Sequence, residues 1–260
     1  MMLNHHHFDV ITSKPQQVCY GGGLGVLLLD DVYPGFPGDV RNHSSFPYPV
    51  QYEIVEGVDI KALAYSSDRD TCYPAILAAA QRLRRFGVGA VVGECGHFSY
   101  FQKRLAADMD IPVYISSMLQ VAWAQSLIGP ERLVGLLVSH TDAVTPEHLM
   151  AVGISPNSNI VIRGARNDGK CPAFDRLWVK TKRANPVCVS RSEAAEQFLA
   201  VATEFVEDNP GMGALVLECT GFPPFARQVQ DAVGLPVFSF ATLMDFAFSS
   251  IVHREFQGHV

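Results

Sequence analysis

The chain has 260 residues, 48% hydrophobic and 18% charged, enough for one large domain or two lobes with their own cores. A formal net charge of −6 with no basic stripe argues against a nucleic-acid partner, because nothing is available to displace counterions from phosphates. Six cysteines at 19, 72, 95, 171, 188 and 219 form no CxxC pairs, which sets aside zinc ribbons and disulfide frameworks and suits a reducing compartment.

Residues 1–20 read as a loose tail, with His5, His6 and His7 as exposed polar residues rather than metal ligands. They lack the basic region and apolar run of a signal peptide, so a cytoplasmic location is expected. The first strand is the apolar run 24–29, ending at Asp30-Asp31. A long loop follows, rich in Pro, Gly and aromatics (Tyr33, Phe36, Phe46, Tyr48), and then a strand at 50–55. A helix is expected over 73–86, with Arg82, Arg84 and Arg85 on the solvated face of its last turns. Next come a strand at 89–93, a helix at 99–107, a strand at 111–115 and a helix at 117–127.

The second half restarts with a strand at 132–138, a helix at 146–152 and a strand at 159–163. Residues 164–190 are polar and irregular, a candidate insertion or active-site flap. A helix over 192–209, capped around Ser192, leads to a strand at 213–217, a helix at 224–233 and a strand at 235–240. The weakly charged stretch 235–252 contains Pro236 and Asp245 and reads as a strand and buried helix, not a membrane span. This alternation predicts an α/β fold of two pseudo-twofold-related lobes, each a parallel sheet flanked by helices. The lobes are expected over 21–125 with 241–260, and over 126–240, after a tail at 1–20.

The repeat that suggests pseudo-symmetry also carries the chemistry. Residues 89–98 read Gly-Ala-Val-Val-Gly-Glu-Cys95-Gly-His-Phe, and residues 213–222 read Gly-Ala-Leu-Val-Leu-Glu-Cys219-Thr-Gly-Phe. The frames lie 124 positions apart (95 to 219), and so do Ile111-Pro112-Val113 and Leu235-Pro236-Val237. Each thiol therefore ends a buried strand and precedes a helix, in the crevice where α/β proteins bind ligands. A helix N-terminus there is expected to lower a free-cysteine pKa of about 8.5 toward neutrality, and its amides to hold a carboxylate. The competing readings are a pair of small buried hydrophobes, or a metal held by Cys95, His97 and Cys219; that ligand spacing does not suit zinc, and no metal is expected.

The two frames, the Leu27-Leu-Leu-Asp30 strand end and the Ile-Pro-Val and Leu-Pro-Val strands resemble the cofactor-independent aspartate/glutamate racemase superfamily, from residue 22 to 251. That group includes hydantoin racemases, maleate isomerases, arylmalonate decarboxylases and algal-type dimethylsulfoniopropionate lyases. The resemblance implies the racemase-like fold, no cofactor, and a small chiral carboxylate substrate. One of Cys95 and Cys219 would remove a proton as thiolate while the other delivers one to the opposite face. It points first to a racemase or isomerase, with a lyase or decarboxylase on the same scaffold as the alternative and a non-catalytic binding protein as a third class. Many amino-acid racemases of the group read Cys-Asn-Thr and Cys-Thr-His; this chain has Cys95-Gly96-His97 and Cys219-Thr220-Gly221, which sets it apart from standard glutamate or aspartate enzymes.

Supporting roles follow from position. By the resemblance, Asp30 stands where the family often has an acidic residue that orients a catalytic thiol, the alternative being a plain strand-end cap, and His97 would pair with Cys95 or point outward. Gly96, Thr220 and Gly221 would offer amides to the substrate, and Ser116, Ser117, Ser139 and Thr141 would bind carboxylate or cap helices at strand tips. Tyr33 belongs to an aromatic loop that would pack down or cover an apolar or cationic substrate. No membrane partner is expected, and a homo-oligomer is among the assemblies allowed.

Overall fold

The computed structural model describes residues 12–254 and 256; His5, His6 and His7 lie outside the described residues. Two four-stranded parallel sheets carry the chain, with strand orders β2-β1-β3-β4 and β6-β5-β7-β8. The first sheet comprises β1 (Leu24–Leu29), β2 (Val50–Val55), β3 (Ala90–Gly93) and β4 (Val113–Tyr114). The second comprises β5 (Leu133–Val138), β6 (Ile160–Gly164), β7 (Met212–Leu217) and β8 (Val237–Phe238). Each order places the first strand of its lobe at the centre beside the strand that leads to a cysteine. The central strands are apolar along their length because both sheet faces are covered.

The helices are α1 (Ile60–Ala64), α2 (Tyr73–Arg85), α3 (Gln102–Asp108), α4 (Gln120–Ile128) and α5 (Pro146–Ala151). They continue with α6 (Pro172–Trp178), α7 (Arg191–Glu207), α8 (Pro223–Val233) and α9 (Phe240–Ile251). One face of the first sheet packs Leu27 and Val91 against Ile76, Ala79 and Leu83 of α2. The other packs Val26 and Val92 against Phe240, Leu243, Met244 and Ala247 of α9. In the second sheet, Leu136 and Val216 pack against Val121 and Ala124 of α4, while α7 and α8 cover the opposite face. The lobes thus exchange helices: α4, which follows β4, packs on the second sheet, and α9, which follows β8, packs on the first.

Local chemistry sets the ends. The two last strands are only two residues long because Ser116 and Ser239 cap the helical turns that follow, their hydroxyls accepting from Met118 N and Ala241 N. Helix α7 is capped by Ser190, which accepts from Glu193 N, and not around Ser192. Helix α1 is absent from the sequence expectation; five residues are too few to show a period, and Asp59 caps it through Ala62 N.

Candidate active site

The strand ends bring two identical constructions face to face. Past β3, Glu94 N donates to Leu27 O at 2.8 Å, and past β7, Glu218 N donates to Leu137 O at 2.9 Å. Each cysteine then opens a turn: Phe98 N donates to Cys95 O and Phe222 N to Cys219 O, both at 3.1 Å. Both thiols line one cavity of about 460 Å³ between the lobes, with Cys95 9% exposed. A concave site at the carboxyl ends of parallel strands is where this architecture binds small molecules.

The glutamate before each cysteine is buried and folds back onto the central strand. Glu94 Oε2 accepts from Leu29 N at 3.2 Å, and Glu218 Oε2 accepts from Ser139 N at 3.3 Å. Beyond that the halves diverge. The second oxygen of Glu94 accepts from Tyr33 OH at 2.8 Å and from Arg41 Nε at 3.1 Å, so its charge is compensated within its own lobe. The second oxygen of Glu218 reaches into the opposite lobe, 3.6 Å from His97 Nδ1. There it occupies the space a side chain at Gly96 would need, which is why a residue without a Cβ stands at that position.

Burial dominates the electrostatics and overturns one expectation. It pushes both thiols well above their ordinary pKa, reinforced at Cys95 by Glu218 and Glu94 and at Cys219 by Glu218. The turn after Cys95 is a six-residue 3₁₀ segment, too short a dipole to offset this. Burial also raises Glu218 to about 7 and, with His148 alongside, lowers His97 to about 3. His97 is therefore a neutral imidazole at neutral pH, with Nδ1 3.3 Å from Cys95 Sγ. The matching position beyond Cys219 is Gly221, which carries no acid–base group.

Of the other residues singled out from sequence, Tyr33, Gly96, His97, Ser139 and Thr220 line the cavity. Asp30 does not: it is exposed, and its carboxylate accepts from Gly57 N at 3.0 Å. Its neighbour Asp31 lines the cavity instead, since adjacent residues at a strand end face opposite ways. Ser116 caps the turn before α4, and Ser117 Oγ donates to Leu217 O (2.9 Å) and Glu218 O (3.1 Å), fastening the lobes together. Thr141 pairs with Asn167, and Gly221 packs against the Trp178 ring.

Several lining residues carried no sequence signal. Residues 178–181, within the stretch read as an insertion or flap, form one wall. Arg183 anchors that wall through two 2.8 Å contacts to Asp31, and Lys180 Nζ lies 3.0 Å from Asp59 Oδ2. On the far side Arg166 donates to Ser139 Oγ at 3.2 Å and to Asp175 at 2.7 Å. Tyr65 and Trp178 add aromatic surface. Among the described residues no three His, Cys, Asp or Glu side chains converge as metal ligands, and no helix is long and apolar enough to cross a membrane.

No protein-family model matches the chain. In sequence it is 25% identical over 250 residues to a dimethylsulfoniopropionate lyase of Durusdinium sp. clade D, covering 91% of this chain and 80% of that one. It is 27% identical over 237 residues to dimethylsulfoniopropionate lyase 3 of Emiliania huxleyi, covering 88% of this chain but only 60% of that longer protein. Among solved structures it superposes on arylmalonate decarboxylase with a TM-score of 0.56 at 14% identity, covering 88% of this chain and 91% of that one. An aspartate racemase homologue from Pyrococcus horikoshii OT3 gives 0.54 at 15% identity, covering 88% of this chain and 98% of that one. The chain thus shares the fold of arylmalonate decarboxylase and of the aspartate racemase homologue.

Proposed function

We propose that the chain is a lyase that removes the α-proton of a small carboxylate carrying a leaving group on its β-carbon, with dimethylsulfoniopropionate as the first substrate to test. The observation that carries this reading is the inequality of the two thiols. Racemisation by two thiols needs groups that exchange roles each turnover; elimination needs one base. Cys95 has an imidazole at 3.3 Å, and among the described residues no imidazole is hydrogen-bonded to Cys219. The similarity to dimethylsulfoniopropionate lyases supports the same choice.

In this mechanism ionised Glu218, 3.6 Å from His97 Nδ1, offsets the burial that disfavours an imidazolium, so that His97 Nδ1 takes the Cys95 proton and the resulting thiolate takes the substrate α-proton. The C–H electron pair becomes the C=C bond, the bond from the β-carbon to sulfur breaks, and its pair leaves with a neutral sulfide. The proton left on His97 passes to solvent. Arg166 and Ser139 fit the substrate carboxylate, while Tyr33, Tyr65 and Trp178 with the buried glutamates fit a sulfonium cation. Racemisation is the second reading, favoured by the presence of both thiols in one cavity. Proton NMR in D2O separates the two. Dimethyl sulfide and acrylate signals are expected; α-proton loss with the carbon skeleton intact would favour the racemase.

A further inference from the structure

The cavity has room for far more than dimethylsulfoniopropionate. That molecule has about eight non-hydrogen atoms, which at the packing density of protein interiors fill roughly a third of 460 Å³. The remaining space lies toward the mouth, because burial falls steeply along the lining. At the strand ends Glu94 and Glu218 are each 1% exposed and His97 3%. The residues that α1 and the 178–181 wall contribute are more open: Tyr65 is 53% exposed, and Lys61, Lys180 and Thr181 are exposed.

This outer part of the lining is aromatic and aliphatic. Ile60 and Tyr65 supply it from the first lobe, and Trp178 and Val179 from the second. Lys61, Lys180 and Thr181 give it a polar rim, and apolar surface ringed by polar residues marks a place where a ligand sits. Trp178 is fixed before any ligand arrives. Its ring stacks on Phe174 with centroids 4.4 Å apart, and its carbonyl accepts from Arg183 Nη2 at 2.8 Å. A wall already held in place costs a ligand little ordering, so an aromatic group laid against it keeps most of its burial energy.

Charge supplies the other half of the ligand. Four carboxylates line the cavity, and three already face a cation: Asp31 meets Arg183, Asp59 meets Lys180 and Glu94 meets Arg41. Among the described residues Glu218 has no such partner; it faces the neutral imidazole of His97 at 3.6 Å. A buried carboxylate without a cation is completed by a ligand that brings one. We infer that the site takes a carboxylate whose cationic centre carries an aromatic substituent in place of a methyl group. The cation sits beside Glu218, and the substituent lies against Tyr65 and Trp178 with Ile60 and Val179 around it. Naming that cation as the leaving group, a bulky neutral sulfide once the bond to the β-carbon breaks, rests on the lyase reading.

Binding and turnover are measured separately. Calorimetry on the full chain compares β-(trimethylammonio)propionate with β-(benzyldimethylammonio)propionate, whose amines are poor leaving groups. The benzyl compound is expected to bind about tenfold tighter or more, the scale of one buried aromatic ring. Ile60→Ser and Val179→Ser should each cut that preference about fivefold, the effect of trimming an apolar pocket by a few carbons. Phe86→Ser, at an exposed side chain following α2, should leave it unchanged. Proton NMR then follows elimination from β-(dimethylsulfonio)propionate and β-(benzylmethylsulfonio)propionate, each rate divided by that of hydroxide-promoted elimination in water. The benzyl compound should show a kcat/KM about tenfold higher, mainly through KM. Equal or tighter binding of the trimethyl compound, or a preference that survives both pocket variants, would overturn the inference. Tighter binding of the benzyl ammonium with no elimination from either sulfonium would support the ligand class and overturn the lyase reading.

Discussion

His97 Nδ1 stands 3.3 Å from Cys95 Sγ, whereas the position equivalent to His97 beyond Cys219 is a glycine. The pseudo-symmetry that places two thiols in one cavity is therefore broken at the imidazole beside one of them. If Cys95 is the base and His97 its acceptor, His97→Asn should lower kcat/KM roughly 100-fold, in the range of a lost general acid–base partner, while KM changes little. Introducing the missing imidazole with Gly221→His should not compensate, because the Trp178 ring fills the space beside that glycine. Steady-state kinetics on the substrate found by NMR checks both. Undiminished turnover in His97→Asn would leave Cys95 without its acceptor and return the two thiols to equal standing.

The thiols should be slow to alkylate in the resting protein. Thiolate is the reactive form, and both Cys95 and Cys219 are pushed well above the ordinary range by burial among carboxylates. Iodoacetamide at pH 7.5 should modify exposed Cys19 and Cys188 first, as read by peptide mass spectrometry. This ordering is opposite to the one a helix N-terminus alone would predict. Faster labelling of either cavity thiol would show that the helix end outweighs burial.

The strand repeat was legible because it is written in side-chain pattern: buried strand, Glu, Cys, small residues, at one offset. The same construction recurs in the backbone, where Glu94 and Glu218 make matching bonds to Leu27 and Leu137. The glutamates' roles were hidden, since a residue beside a cysteine in sequence gives no hint that its carboxylate crosses to Leu29 or Ser139 and, for Glu218, on to His97. Asp30 and Asp31 show the limit of reading strand ends: the carboxylates are adjacent, but only one turns into the cavity. The wall at 178–181 and its anchors to Asp31 and Asp59 join residues more than a hundred positions apart, which no local pattern encodes.

Glu218 should set both a stability cost and an activity limb. Burial raises it from an ordinary 4.5 to about 7, so the folded state holds its proton more tightly than the unfolded chain does. Its contribution is therefore neutral below about 4.5 and grows more unfavourable as pH rises to 7. Glu218→Gln keeps an acceptor for Ser139 N and removes the charge, so it should stabilise the fold at pH 8 by up to about 3 kcal/mol, and by much less at pH 5. Turnover should move the other way. An ionised Glu218 favours the imidazolium 3.6 Å away, so kcat/KM of the wild type should climb as pH passes through 7, and Glu218→Gln should flatten that climb. Urea melts at the two pH values and a pH–rate profile test the pair. A variant both less stable at pH 8 and unchanged in profile would mean the carboxylate is an ordinary structural acceptor.

Ion pairs from Lys180 and Arg183 tie the wall of residues 178–181 to the other lobe, and Arg183 to Asp31 is the most deeply buried of them. Arg183 and Asp31 are 9% and 4% exposed, with two 2.8 Å contacts, and Arg183 also donates to Trp178 O and Leu177 O. Burial opposes the charge on Asp31, but Arg183 outweighs it and holds the carboxyl below its usual value. Arg183→Ala leaves that carboxylate buried without its partner, the situation that costs about 3–5 kcal/mol when one side of a buried pair is removed. Arg183→Lys keeps one contact and the charge but not the fork, and should lose less. Because the same side chain holds the Trp178 carbonyl, both variants should raise KM more than they lower kcat: the cavity wall loosens while Cys95, His97 and Glu218 stay in place. Thermal melts and substrate titration of the two variants separate this from a purely structural pair, which would lower stability and leave KM where it was.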